Sequence, residues 1–292
     1  MIQATRKSAF VTVFILILVV FVASAFWAVG DSLSRAEHTQ VGPAPEDLRA
    51  ENVSIDLAGG GYVKGWYVPA DANKANVLLL HGIRADRRQV ESRARFLRGL
   101  GYSSLLIDLP AHGESSGDRI TFGVRESKGV EAALSYLCAR APQTPVGVIG
   151  VSLGAASFVL ARPDCHPRAV VLESMFPTIE EATNDRTRNY LGSFFGPLVT
   201  PLLMLQLPLI VGVRPSQLHP IDEMPRIGCP VLIASGSADR NTTLPETQRI
   251  FQAANAPKEL WIVEGAGHVS LDGFAKGTYE QKIGGFFAQY LR

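Results

Sequence analysis

Residues 148–157 read VIGVSLGAAS. Four apolar or glycine residues lead into Ser152, the run already begins at Val146, and small residues follow the serine. An unbroken apolar run of this length fits a strand buried on both faces of a parallel sheet. The small residues of 153–161 fit a short helix packed closely against that strand. The chain therefore hands over from buried strand to helix at Ser152. A G-x-S-x-G pentapeptide alone is a weak signal in a chain with 27 glycines. Its meaning depends on the rest of the sequence.

The same rhythm recurs along the chain. Residues 76–81 (NVLLLH) and 103–109 (SSLLIDL) are buried-strand runs, and 169–173, 230–235 and 259–264 are further short strands. Helical spacing occupies 88–100, 123–140, 153–161, 244–254 and 274–291. Strands alternating with helices predict an α/β fold with a doubly wound, mostly parallel sheet. Before them, 51–58 and 62–69 alternate apolar and polar residues across a GGG turn, which predicts an antiparallel hairpin at the sheet edge.

One gap breaks the alternation. More than fifty residues separate the strand ending near Ser174 from the one starting at Pro230, so a helical cap insertion is expected at about 175–229. Within it, 190–213 carries no charge. Pro197, Pro201 and Pro208 argue against a second membrane span, which would also cut the sheet strands apart. Short apolar helices packed over the sheet are expected, either lining an acyl pocket or serving as ordinary core.

The N-terminus has a different character. Arg6 and Lys7 precede the charge-free run 8–30, SAFVTVFILILVVFVASAFWAVG. About 20 apolar residues suffice to cross the hydrocarbon layer as a helix. The basic flank lies before the run, while Asp31 and Glu37 offset Arg35 after it, so the N-terminus is expected in the cytoplasm and the remainder outside. Residues 1–30 then form a transmembrane anchor, 31–50 a polar linker, and 51–292 the α/β domain. The competing reading is a signal peptide cleaved near Ala25, after Ala23-Ser24-Ala25, which leaves a secreted or periplasmic protein. Against cleavage, the run continues through Phe26, Trp27 and Val29.

Composition narrows the partners. With 47% apolar and 19% charged residues a large core is expected, and a net charge of +1 without a basic stripe gives no sign of nucleic-acid binding. The three cysteines, Cys138, Cys165 and Cys229, are widely spaced and show no framework, so three buried thiols are expected, with at most one bridge possible if the domain lies outside the cytoplasm. No cluster has metal-ligand spacing, and the site is read as needing neither metal nor cofactor.

A serine hydroxyl needs a base within reach to act as a nucleophile. His268, in GAGH after the strand 259–264, stands on a strand-to-helix loop, and all such loops of a parallel sheet emerge on one edge. A carboxylate must then orient the ring, and Asp239, in SGSADRNT after the strand 230–235, lies on that same edge. The chain order Ser152, Asp239, His268 is the order this topology uses. Glu173, after an earlier strand, is the alternative acid. Backbone N–H groups of Leu153 and of Ile83, in HGI after the first parallel strand, are the candidate oxyanion donors. His81, His112 and Asp108 read as loop supports, and His219 and Asp222 as connectors.

The motifs LLLHGIRA, DLPAHGESSG, GVSLG, SGSAD and GAGH, in this order, resemble those of the α/β-hydrolase superfamily across nearly all of the segment after the apolar run. The chain is most similar to the serine-hydrolase branch with a short cap, whose members are mainly esterases, thioesterases, lipases and peptidases. The resemblance implies Ser152 as nucleophile, Asp239 as acid, His268 as base, and Leu153 with Ile83 as oxyanion donors. It implies hydrolysis of carboxylic esters, with a small-molecule or lipid-like acyl substrate. A peptidase or acyltransferase on the same triad, or a non-catalytic binding protein of the same fold, are the alternatives. DLPAHG departs from the commoner arginine-glycine form of its motif without touching a catalytic role.

Overall fold

The computed structural model describes residues 2–291, with side chains at Phe10 and from Thr12 onward. The basic flank Arg6 and Lys7 lies outside the described side chains. A long helix, α1 (Ile2–Ser34), leads into a short strand β1 (Glu37–His38) and then the hairpin β2 (Glu51–Asp56) and β3 (Tyr62–Val68). The alternating portion follows as β4 (Asn76–Leu80), α2 (Glu91–Gly99), β5 (Ser103–Ile107), the two-residue β6 (His112–Gly113), α3 (Val124–Arg140), β7 (Val146–Val151), α4 (Leu153–Leu160) and β8 (Ala169–Glu173). After the insertion, which holds α5 (Ile179–Ile210) and α6 (Pro220–Glu223), come β9 (Val231–Gly236), α7 (Leu244–Ala253), β10 (Lys258–Val263), α8 (Leu271–Phe274) and α9 (Lys276–Tyr290).

Eight strands form one sheet in the order β10-β9-β8-β7-β4-β5-β3-β2. Neighbours from β10 to β5 run parallel, while β3 and β2 are antiparallel at one edge. The hairpin turn closes through Leu57 N–H on Gly61 O, with Gly60 and Gly61 at positive φ, a region that glycine enters without a side-chain clash.

Period-two alternation divides the core. Leu78 and Leu80 of β4 pack on one face, among Leu134, Leu137 and Phe158 from α3 and α4. Val77 and Leu79 pack on the other, among Ala94, Leu97 and Phe287 from α2 and α9. With both faces covered, the strands read as solid apolar runs, which is why 76–81 and 146–151 were legible as parallel strands. The chain order reverses where β4 lies beside β7, so the loops after these two strands diverge and leave a crevice at the carboxyl edge.

Three features depart from expectation. First, the charge-free stretch 190–213 is not a set of short helices over the sheet. α5 breaks at Gly192 (φ 80°, ψ 172°) into two helical arms, and the second, which holds nearly all of 190–213, folds back on the first. Thr187 and Thr200 hydroxyls meet at 2.9 Å, and a Cβ on Gly196 would lie 2.7 Å from Arg188 N. The second arm continues through Pro197, Pro201 and Pro208, which at spacings of 4 and 7 residues fall on a single stripe and do not end it.

Second, the polar linker is no free tether. β1 pairs with β6, Val41 and Leu48 are buried, and Glu114 Oε1 accepts from the N–H groups of Val41 and Gly42 at 3.1 Å each. The segment is a strap laid along the domain. Third, Cys138 and Cys165 are not separate thiols. The end of α3 and the loop after α4 bring their Cα atoms to 6.3 Å, and a disulfide joins them; Cys229 is free and half-buried.

Candidate active site

Ser152 sits between β7 and α4 with φ 50° and ψ −108°, a conformation that L-residues rarely hold. Its N–H donates to Glu173 O at 2.8 Å, and its carbonyl accepts from Ala156 N–H at 3.0 Å. The flanking glycines make the turn possible. A Cβ on Gly150 would lie 2.7 Å from Ala155 N, and one on Gly154 would lie 2.7 Å from the carbonyl oxygens of Leu80 and His81. A side chain at either place would strike backbone, so strand, turn and helix could not close as they do.

Asp239 follows β9 in a tight turn. Its Oδ1 accepts from the N–H groups of Asn241 and Thr242 at 2.8 and 2.9 Å, and its Oδ2 is 2.8 Å from His268 Nδ1. An ionised carboxylate only accepts, so Nδ1 carries a proton, and in the neutral ring Nε2 is the acceptor. Burial alone would push the Asp239 carboxyl up. The His268 ring and the two N–H donors outweigh it and hold the group below its usual value, so it stays ionised.

The structure thus joins Asp239 to His268, and both stand on the carboxyl edge with Ser152. Among the described residues, no hydrogen bond links Ser152 Oγ to the ring. Glu173, the alternative acid, is committed elsewhere: Arg93 Nη2 donates to it at 2.6 Å and Tyr279 Oη at 2.6 Å, in a buried network under the sheet edge.

Ile83, Ser152 and Leu153 line one cavity of about 470 Å³, within the usual range for a small-ligand site. Neither the Ile83 nor the Leu153 N–H has an acceptor among the described residues. Both start beside the crevice between β4 and β7. The loop carrying Ile83 is braced from below. His81 donates from Nδ1 to Gly82 O at 2.7 Å and accepts at Nε2 from Leu109 N–H at 2.9 Å. Burial and the neighbouring His112 push the His81 ring down to about 3, so it is neutral and structural. His112 Nδ1 bonds Pro110 O at 3.0 Å. Asp108 accepts from Arg87 N–H and Glu114 N–H, ordering the loop after β5. His219 bridges Glu180 and Asp222, away from the cavity lining.

Sequence reasoning missed other walls of the cavity. Val29, Gly30 and Leu33 reach it from α1, and Arg186 and Tyr190 from the first arm of α5. Gly30, closing the apolar run, is a local sign that α1 approaches another element closely. Among the described residues, no group of three histidine, cysteine or acidic side chains is gathered as a metal site.

Comparison with known proteins agrees with this fold. The chain is 28% identical over 221 residues to the uncharacterized protein Rv2307c of Mycobacterium tuberculosis, covering 74% of this chain and 72% of that one. It is 24% identical over 242 residues to the uncharacterized protein YqkD of Bacillus subtilis, covering 82% and 79%. Among solved structures, the Pyrococcus furiosus esterase Pf2001 superposes with a TM-score of 0.72 at 23% identity, covering 88% of this chain and 99% of that one. A thermophilic esterase from Thermogutta terrifontis does so with a TM-score of 0.60 at 15% identity, covering 83% and 100%. At such identities these two likenesses show the fold. The sequence profile described as the Alpha/beta hydrolase family matches residues 77–278, a span that runs from β4 through the strained serine turn, Asp239 and His268 into α9, and on that match the chain belongs to the α/β-hydrolase family.

Proposed function

We propose that this chain is a serine hydrolase of carboxylic esters, with Ser152 as nucleophile, His268 as general base and Asp239 as its orienting acid. The observation that carries the reading is the Asp239–His268 hydrogen bond at 2.8 Å, which orients the ring through Nδ1 on the edge that also presents Ser152, so that Nε2 of the neutral ring serves as the base. Ser152 Oγ attacks the ester carbonyl carbon while His268 Nε2 takes its proton. The carbonyl oxygen becomes an oxyanion that accepts from the unengaged N–H groups of Leu153 and Ile83. Collapse breaks the bond to the alcohol oxygen, which leaves with the proton from His268. A water then attacks the acyl-enzyme and gives its proton to Nε2, and as the bond to Oγ breaks His268 returns that proton to Oγ, freeing the acid and Ser152.

α1 anchors the chain uncleaved, with the catalytic domain outside the cytoplasm. The apolar, exposed run within Thr12–Ser34 supports the anchor, and the Cys138–Cys165 disulfide suits an oxidising compartment.

Labelling with a fluorophosphonate probe tests the chemistry. The wild-type chain should label and hydrolyse aryl esters, and Ser152→Ala should do neither. A folded wild-type protein that does not label, or a variant that labels equally, would overturn the assignment.

A further inference from the structure

The cavity holding Ser152 is walled by two elements that also carry the exposed apolar surface of the molecule. Outside α1 and α5, large apolar side chains are exposed only singly among the described residues, at Tyr62, Leu100, Val269 and Phe274. On the second arm of α5, by contrast, Phe194, Leu205 and Leu209 are each about 70% exposed, at 72%, 69% and 71%. No charged residue interrupts 190–213. A contiguous apolar face of this kind calls for an occupant.

Its neighbour says which. The second arm of α5 is docked on the last turns of α1: Gln206 Nε2 donates to Phe26 O at 3.2 Å, and a Cβ on Gly30 would land on Gln206 Oε1. Close approach through a glycine, with one amide bonded across, is how helices pack within lipid. The end of α1 is in turn clamped to the domain. Arg119 pairs with Asp31 at 2.7 Å, and Arg84 Nη2 donates to Ser32 O at 2.6 Å. The charge-free run of α1 ends at Gly30 and is about as long as the hydrocarbon layer is thick, so Phe26 to Gly30 lie in the last part of one leaflet, with Asp31 and its clamp at the headgroup edge. The apolar arm of α5, fixed beside them, lies at that depth too.

We propose that α1 and the second arm of α5 form a lateral port, sunk in the leaflet where α1 ends, through which an acyl chain of a membrane-resident ester lipid reaches Ser152 without crossing water. This rests on the serine-hydrolase and membrane-anchor reading above. Val29, Gly30 and Leu33 on one side and Leu203 and Leu207 on the other line the cavity, so the two helices that touch lipid also form the acyl trough. The ester carbonyl, at the head of the chain, is then presented to Ser152 while the alcohol moiety faces the headgroup region.

The test uses the full chain in phosphatidylcholine vesicles. A photo-crosslinking benzoylphenylalanine at Leu205 should join phospholipid, and the same group at Lys128, exposed on α3, should not. Crosslinks at Leu205 only to a second copy or to another protein overturn the port, whatever the activity. In parallel, the Leu205→Glu/Leu209→Glu protein is compared with wild type on two fluorogenic esters, soluble umbelliferyl butyrate and vesicle-embedded umbelliferyl oleate. Neither leucine lines the cavity, so butyrate hydrolysis should persist within about twofold, whereas oleate hydrolysis should fall by about tenfold or more. Equal rates on oleate sink the port while leaving the hydrolase reading intact. A wild-type protein that hydrolyses neither ester sinks the hydrolase reading, and the port with it.

Discussion

Ser152 hangs from Glu173: its backbone N–H donates to the Glu173 carbonyl at 2.8 Å, while the Glu173 side chain holds buried Arg93 at 2.6 Å. The strained turn is therefore tied, through one residue, to a charged network of Arg93, Asp272 and Tyr279. The acid that sequence offered as an alternative base-orienter fixes the Ser152 backbone instead.

Breaking that network by removing one partner leaves a charge buried without compensation. Arg93→Ala should cost about 3–5 kcal/mol of stability, read as a lowered midpoint in urea unfolding. Replacing Arg93 and Glu173 together by apolar residues of similar volume should cost much less than the sum of the single changes. An additive double mutant would show that the pair is not coupled.

The positive φ of Ser152 makes a second forecast. Ser152→Gly relieves a conformation that costs about 1–3 kcal/mol, so it should unfold at higher temperature than Ser152→Ala. Both should be inactive. Equal melting temperatures would mean that the turn stores no strain.

Asp239→Asn keeps the shape of the turn but loses the ionised partner that fixes the His268 tautomer. Ester hydrolysis should fall roughly 10⁴-fold in kcat with an unchanged near-ultraviolet circular dichroism spectrum. Preserved activity would exclude Asp239 as the orienting acid.

Glu246 provides a pH dependence of stability. Burial, with Asp185 adding to it, raises its carboxyl from 4.5 to about 7, although the Thr243 N–H bond opposes this. The folded protein thus holds this proton over a range where the unfolded chain has lost it. The resulting stabilisation is complete below pH 4.5 and fades as pH rises through about 7. Glu246→Gln retains an acceptor for Thr243 N–H and has no proton to lose. The difference in melting temperature between wild type and variant should therefore grow between these pH values, and a constant difference would refute the assignment.

Reducing the Cys138–Cys165 bond reopens a loop whose ends are 27 residues apart, which the chain-entropy relation values at about 3.5 kcal/mol. Cys138→Ser/Cys165→Ser should lower the unfolding midpoint accordingly, and dithiothreitol should then have no further effect on it.

What sequence made legible follows the range of the signal. Strands such as 146–151 announce themselves because burial on both faces removes every polar residue, and the loops carrying Ser152, Asp239 and His268 then share an edge by topology alone. The shape of 190–213 was obscured because three prolines suggested three breaks, while the single break fell at Gly192, where a positive φ was available. The strap pairs only Glu37 and His38 with His112 and Gly113, too few residues to create a periodic pattern. The pairing of Cys138 with Cys165 and the reach of Val29 and Leu33 into the cavity depend on packing between distant segments, which leaves no local trace.

The place of β7 has a final consequence. It lies inside the sheet, paired with β4 on one flank and β8 on the other, so no edge offers a way to peel it loose. Amide exchange along Val148 to Gly150 should report global opening only. Heat then releases the Ser152 turn only when the whole sheet melts, so the turn keeps its shape for as long as the sheet stays paired.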